Sequence, residues 1–229
     1  MLQRPEGSVD LQVELAEYQA LQAHGDQEGA AQVLAEALAY VVDPDGNPAT
    51  DDGAEVINLS LGGPSGSSAE QSALQYALSK NTLAFCATGN DNGVVSYPAA
   101  FPECVAVGAT DWGDNRASYS NYGPQTELSA PGGDDENASG YSYIVSAYNE
   151  SSTSYVLMAG TSMATPMAAG LGGLLASLGV ATADEIRSIM ASTSDDLGPA
   201  GRDASFGYGR INAYAAVLAA GGGDPDPDP

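Results

Sequence analysis

The chain has 229 residues, 43% of them apolar, and carries 30 acidic against 6 basic side chains, a formal net charge of −24. That length and composition suit one large folded domain or two small ones and exclude a wholly disordered or collagen-like chain. So acidic a surface repels phosphate backbones and anionic membranes, leaving a solvating acidic coat or an adaptation to high salt, toward which the single lysine, Lys80, points.

Val9 to Leu21 fits a strand or a short helix equally well, whereas Leu34, Ala37, Leu38 and Val41 share one face of a helix over Ala30 to Val42. Asp43-Pro-Asp-Gly46 stops that helix with turn chemistry, and an acidic loop follows to Asp52. Val56-Ile-Asn-Leu59 reads as a short buried strand ending in the glycine-rich loop Gly62 to Gly66. Ser68 to Lys80 reads as a helix, and Thr82 to Ala87 and Cys104 to Ala109 as apolar strands. Tyr141 to Ala147 and Ser154 to Met158 form a predicted hairpin.

Ala164 to Ala183 carries no ionisable side chain and approaches membrane-spanning length. Pro166, Gly170, Gly172, Gly173 and Gly179 fit a small-residue helix buried on all sides better than a membrane span. Thr182-Ala-Asp-Glu185 is a capping box opening a helix through Met190, and a last helix is expected over Arg210 to Ala219. Strands alternating with helices predict an α/β fold with a mostly parallel, doubly wound sheet and helices on both faces, over residues 1–219. Residues 220–229, ending in repeated Asp-Pro, read as a disordered linker or tail. Met1 to Asp10 contains no apolar run, so no signal peptide is visible.

Cys86 and Cys104 lack CxxC spacing; they stand as two buried thiols or, if their strands are neighbours in an exported chain, as one disulfide. The Asp43–Asp52 loop and the Asp134-Asp-Glu136 run are solvated acidic loops or holders of a hard cation. Asn137 and Asn149 stand in sequons, which matter only in a glycosylating host.

Gly160-Thr-Ser-Met-Ala-Thr-Pro166 is the most informative stretch. It sets Ser162 between a glycine and the first turn of an apolar helix, whose N-terminal N–H groups favour negative charge. Pro166 is expected near the first turn, where no N–H is needed. A serine before a helix is ordinarily an N-cap, and an asparagine after a glycine, as in Ala87-Thr-Gly-Asn90, is ordinarily a turn residue. The order and spacing of several segments together change that reading. Val56-Ile-Asn-Leu-Ser-Leu-Gly-Gly63, Ala87 to Asn90, Tyr97-Pro-Ala-Ala-Phe-Pro, Val105 to Ala109, Ala117 to Gly123, Ala130-Pro-Gly132, Gly160 to Pro166 and Gly207 to Ala213 resemble the subtilisin-like serine peptidases, from about residue 54 to residue 219.

The resemblance implies an extracellular serine endopeptidase acting on polypeptide in an extended conformation. Ser162 would be the nucleophile, and Asn90 would share an oxyanion hole with the Ser162 N–H. Ser60, Leu61 and Gly62 would line the substrate pocket opposite Ala87, Thr88 and Gly89, with edge pairing to the substrate backbone. No cofactor is required; the family often binds calcium, through loops the sequence does not mark.

A triad also needs an aspartate and a histidine, which in this family precede everything matched. The one histidine, His24, is followed by Gly25, but only one helix and the approach to one strand lie between it and Ser60, where the family places a further strand and helix. His24 therefore reads as a turn residue, and Asp10 has no Asp-Thr-Gly-like setting. Two readings follow: an incomplete copy of a peptidase, weak or inactive alone, or a non-catalytic peptide-binding or structural relative. Retention of both Ser162 and Asn90 favours the first.

Overall fold

The computed structural model describes residues 20–21, 24–47, 53–134, 142–149 and 151–223. The strand-or-helix segment at 9–21 lies almost wholly outside these, as do the 224–229 tail, Asp52, Asp135, Glu136 and Asn137. The chain order is α1 (Gln27–Val42), β1 (Val56–Leu59), α2 (Ser68–Ser79), β2 (Leu83–Ala87), β3 (Cys104–Thr110), β4 (Leu128–Pro131), β5 (Ile144–Ala147), β6 (Tyr155–Met158), α3 (Thr161–Ser177), α4 (Ala183–Thr193) and α5 (Ala213–Ala219). The first four strands form a parallel sheet in the order β1-β2-β3-β4, and β5 and β6 pair antiparallel as the predicted hairpin.

Every residue of β2 and β3 is buried, which is why both read as unbroken apolar runs: a parallel strand with helices on both faces has no polar side. Successive side chains alternate between two cores. Leu83, Phe85, Val105, Val107 and Leu128 meet α3, α4 and α5 on one face. Ala84, Cys86, Cys104 and Ala106 meet Leu34 and Leu38 of α1 and Leu74 and Ala77 of α2 on the other. With β2 beside β3, the two cysteines fall within 5.9 Å between Cα atoms and are joined as a disulfide, both nearly inaccessible. Of the two readings of these cysteines, the structure takes the bridge.

The helix starts follow their caps. Asp26 accepts from Gly29 N–H, and Ser67 with Glu70 and Thr182 with Glu185 form complete capping boxes. α4 runs one turn beyond the predicted end, to Thr193. The last helix begins only at Ala213 because residues 208–211 are spent on the sheet: Glu127 O accepts from Tyr208 N–H, Ser129 N–H donates to Gly209 O, and Ser129 O accepts from Ile211 N–H. These bonds cover the outer edge of β4, a strand that the periodicity did not single out.

The opposite edge differs. Among the described residues β1 has no strand on its outer side. The expectation for the long small-residue helix is also corrected. Ala164, Ala168, Leu171, Gly172 and Leu175 of α3 are buried against the sheet, but Pro166, Met167, Gly170, Gly173, Leu174 and Leu178 on the other side are exposed, since nothing described packs there. None of the described helices is long and apolar enough to cross a membrane.

Candidate active site

The two loops expected to form the site leave the C-terminal ends of adjacent parallel strands, where α/β sheets gather functional groups. Ser60 to Gly62 follow β1 and Thr88 to Asn90 follow β2. Gly63 and Tyr97 exchange both backbone hydrogen bonds, at 2.8 and 2.9 Å, and so tie the far ends of the two walls together. Between them lies an open cleft of about 640 Å³, whose lining includes Leu61, Gly62, Ala87, Gly89, Asn90 and Ser162.

Ser162 is the second residue of α3 and half-buried. A helix leaves its first N–H groups without intrahelical partners. Here Thr161 N–H donates to Asn90 Oδ1 at 2.9 Å and Met163 N–H to Gly160 O at 2.9 Å, so the Ser162 N–H is the first-turn donor left over beside the cleft. Asn90 Oδ1 also accepts from Thr161 Oγ1 at 2.8 Å, and Thr161 Oγ1 in turn accepts from Gly89 N–H at 3.3 Å. With its oxygen held twice, the Asn90 amide keeps both N–H donors. Its Nδ2 lies 3.7 Å from where a Cβ on Gly160 would stand, beside the turn that presents Ser162.

The first strand's loop is bonded directly to the helix. Ser60 Oγ donates to Ser162 O at 3.0 Å, and Ser162 Oγ donates to Ser60 O at 3.4 Å. Pro166 explains why that carbonyl is available. It sits in the second turn of α3 rather than the first, and its missing N–H would otherwise have bonded Ser162 O four residues back. Sequence reasoning placed Pro166 at the helix start and missed this link; the spacing of Ser162 and Pro166 at i and i+4 was the available signal.

Leu61, Gly62, Ala87 and Gly89 all line the cleft. Thr88 does not: it is wholly buried behind the wall, its N–H donating to Val107 O at 3.1 Å and its carbonyl accepting from Ser96 N–H at 2.9 Å. His24 is exposed in the turn before α1, which packs on the sheet face opposite α3. No hydrogen bond or ion pair joins its ring to the cleft among the described residues. The described carboxylates of the two acidic loops are engaged elsewhere. Asp43 accepts from Tyr76 Oη at 2.6 Å and pairs with Lys80 at 3.4 Å, and the Tyr76 hydroxyl, against its own burial, holds the carboxyl below its ordinary range. Asp134 accepts from Ser118 Oγ at 3.0 Å. Among the described residues no three His, Cys, Asp or Glu side chains converge as metal ligands.

Fold and site together define an α/β protein with a serine presented at a helix N-terminus beside an amide donor. The profile of the subtilase family, Peptidase S8, matches residues 11–209, and the chain belongs to that family. It is 42% identical over 170 residues to thermitase of Thermoactinomyces vulgaris, which covers 74% of this chain and 56% of thermitase. Over 179 residues it is 42% identical to the halolysin-like extracellular serine protease Nep of Natrialba magadii, covering 77% of this chain and 30% of that protein. A protease structure from Pseudoalteromonas arctica superposes with a TM-score of 0.72 at 38% identity, covering 82% of this chain and 58% of that one. The chain thus spans little more than half the length of thermitase.

Proposed function

We propose that the chain supplies the nucleophile, the oxyanion donors and the substrate cleft of an extracellular serine endopeptidase acting on extended polypeptide. The observation that carries this reading is the double hold on Asn90 Oδ1 by Thr161, which aims an otherwise unused amide at the turn presenting Ser162. A peptide-binding domain needs no such arrangement.

In the proposed reaction Ser162 Oγ bonds to the scissile carbonyl carbon, and the oxyanion is received by Asn90 Nδ2 and the Ser162 N–H. The C–N bond then breaks, the amine leaves with a proton, and water hydrolyses the acyl-serine. Leu61 and Gly62 form no backbone hydrogen bond among the described residues, so this segment is free to pair with substrate in β fashion.

The Ser162 proton needs a base, and the oxygen that accepts from Ser162 Oγ, the Ser60 carbonyl, cannot serve as one. We therefore read the chain as part of a catalytic domain whose triad His and Asp come from polypeptide that also covers the open β1 edge and the apolar side of α3. Loss of the histidine costs a subtilisin about 10⁶ in turnover, so the chain alone is expected to be weak or inactive.

The test is fluorophosphonate labelling. The folded chain alone should not label. A chimera, with the part of thermitase that precedes the matched region joined ahead of this chain, should label, and Ser162→Ala in that chimera should abolish it. Labelling of Ser162 in the chain alone would show that a base is already present. A folded but unreactive chimera would favour the non-catalytic relative.

A further inference from the structure

One wall of the cleft, residues 89–96, has no regular secondary structure, yet it carries the oxyanion donor. Its shape must be fixed by what it packs against. Asn121, only 2% exposed, stands at the base of that wall, where the cleft lining meets the interior. Its Oδ1 accepts from Asp91 N–H at 2.8 Å and from Gly93 N–H at 2.9 Å. Its Nδ2 donates to Ser96 Oγ at 3.2 Å, and its own backbone N–H donates to Gly89 O at 2.9 Å. One residue thus holds the wall at four points, and two of them, the Gly89 carbonyl and the Asp91 N–H, flank Asn90 directly. The fit is close: a Cβ on Gly89 would come within 2.4 Å of Asn121 Nδ2 and 2.6 Å of Ser96 Oγ.

We infer that Asn121 is a positioning residue, which sets both the direction of the Asn90 amide and the width of the cleft, and so the side-chain size the cleft accepts. The second consequence rests on the peptidase reading above; the first does not. An alanine at 121 leaves Asp91 and Gly93 N–H without their acceptor. Asn92 N–H still donates to Tyr119 O at 2.8 Å, Tyr122 N–H to Gly93 O at 3.0 Å and Ser96 N–H to Thr88 O at 2.9 Å, so the wall loosens locally at Asp91 and Gly93, beside Asn90. The loss of a buried acceptor is a local effect, since the buried strand β3 nearby keeps its own ladder to β2 and β4.

The test is run on the full chain with Asn121→Ala, and with Asn121→Asp, which keeps both acceptor contacts, and Ser96→Ala, which removes only the Nδ2 contact. Amide hydrogen exchange at Asp91 and Gly93 should accelerate roughly 10- to 100-fold in Asn121→Ala, and much less in the other two, while β3 amides stay within about threefold of wild type. Unchanged exchange at Asp91 and Gly93, or equal acceleration in β3, would overturn the inference. Anisotropy titrations with fluorescein-Ala-Ala-Pro-Phe-amide and its glycine-ended counterpart give the second readout. Asn121→Ala should weaken the phenylalanine probe about tenfold and the glycine probe less than twofold, a loss confined to the wall. Equal weakening of both probes would overturn a role in cleft width. Failure of the wild-type chain to bind either probe would count against the peptide cleft itself, and the exchange result would still decide the clamp.

Discussion

Ser162 and Asn90 owe their setting to neighbours that do no chemistry. Thr161 fixes the Asn90 oxygen from both its N–H and its hydroxyl, and Pro166 frees the Ser162 carbonyl for Ser60. In the labelling-competent chimera, Asn90→Ala should lower turnover about 10²- to 10³-fold with little change in KM, the size found for such a donor in a relative of this family. Steady-state kinetics on a peptide anilide checks this. Asp195 accepts from Asn212 Nδ2 at 3.0 Å and Arg210 at 2.6 Å, and these bonds hold its carboxyl below the ordinary range. A depressed carboxyl stabilises the fold fully above its unfolded pKa of about 4 and loses that contribution as pH falls through the lower folded value. Asp195→Asn should therefore lower the melting temperature at pH 7 and show a smaller further loss below about pH 4 than wild type does.

At the scale of elements, two joints hold the sheet. The Cys86–Cys104 bridge links β2 to β3 across a separation of 18 residues, a loop for which chain entropy predicts about 3 kcal/mol. Replacing both cysteines by alanine should lower denaturation free energy by roughly that amount, measured in urea, and alkylation with and without reductant should count one bridge. The second joint is the crossing of α3 over the sheet. A Cβ on Gly172 would meet the Phe85 ring at 2.8 and 2.9 Å, so the glycine lets the helix approach. Gly172→Ala gains about 1 kcal/mol of helix propensity but overpacks a buried ring, which costs about 1–3 kcal/mol. A net destabilisation is expected by thermal melting, whereas Gly173→Ala, with open space around it, should stabilise.

The whole molecule is lopsided. Residues 208–211 close the β4 edge, while β1 and the outer side of α3 are bare among the described residues. Met167, Leu174 and Leu178 there are each more than a third exposed, an apolar stripe on a chain whose net charge of −24 otherwise favours solubility. The chain should bind the dye ANS, and Met167→Glu with Leu174→Glu should abolish most of that fluorescence without lowering the melting temperature. A melting temperature that falls by several degrees would mean that the stripe is covered in solution.

The resemblance to the subtilisin-like peptidases is what assigned Ser162, Asn90, Leu61 and Gly62 to one cleft; the residues by themselves determined the α/β class and the positions of the main helices and buried strands. These follow from local chemistry: apolar runs, capping boxes and glycines leave their mark within a few residues. The sequence could not determine which of two cysteine states holds, because that depends on the register of β2 against β3. Nor could it see that β4 and residues 208–211 pair, that Thr88 lies behind the wall, or that one side of α3 is uncovered. Each of these depends on contacts between distant residues, and a stretch such as Ala164 to Ala183 has the same apolar pattern whether or not a neighbour covers it. Tertiary structure alone joins Asn121 to the loop of Asn90, about thirty residues earlier, through hydrogen bonds that leave no period in the sequence.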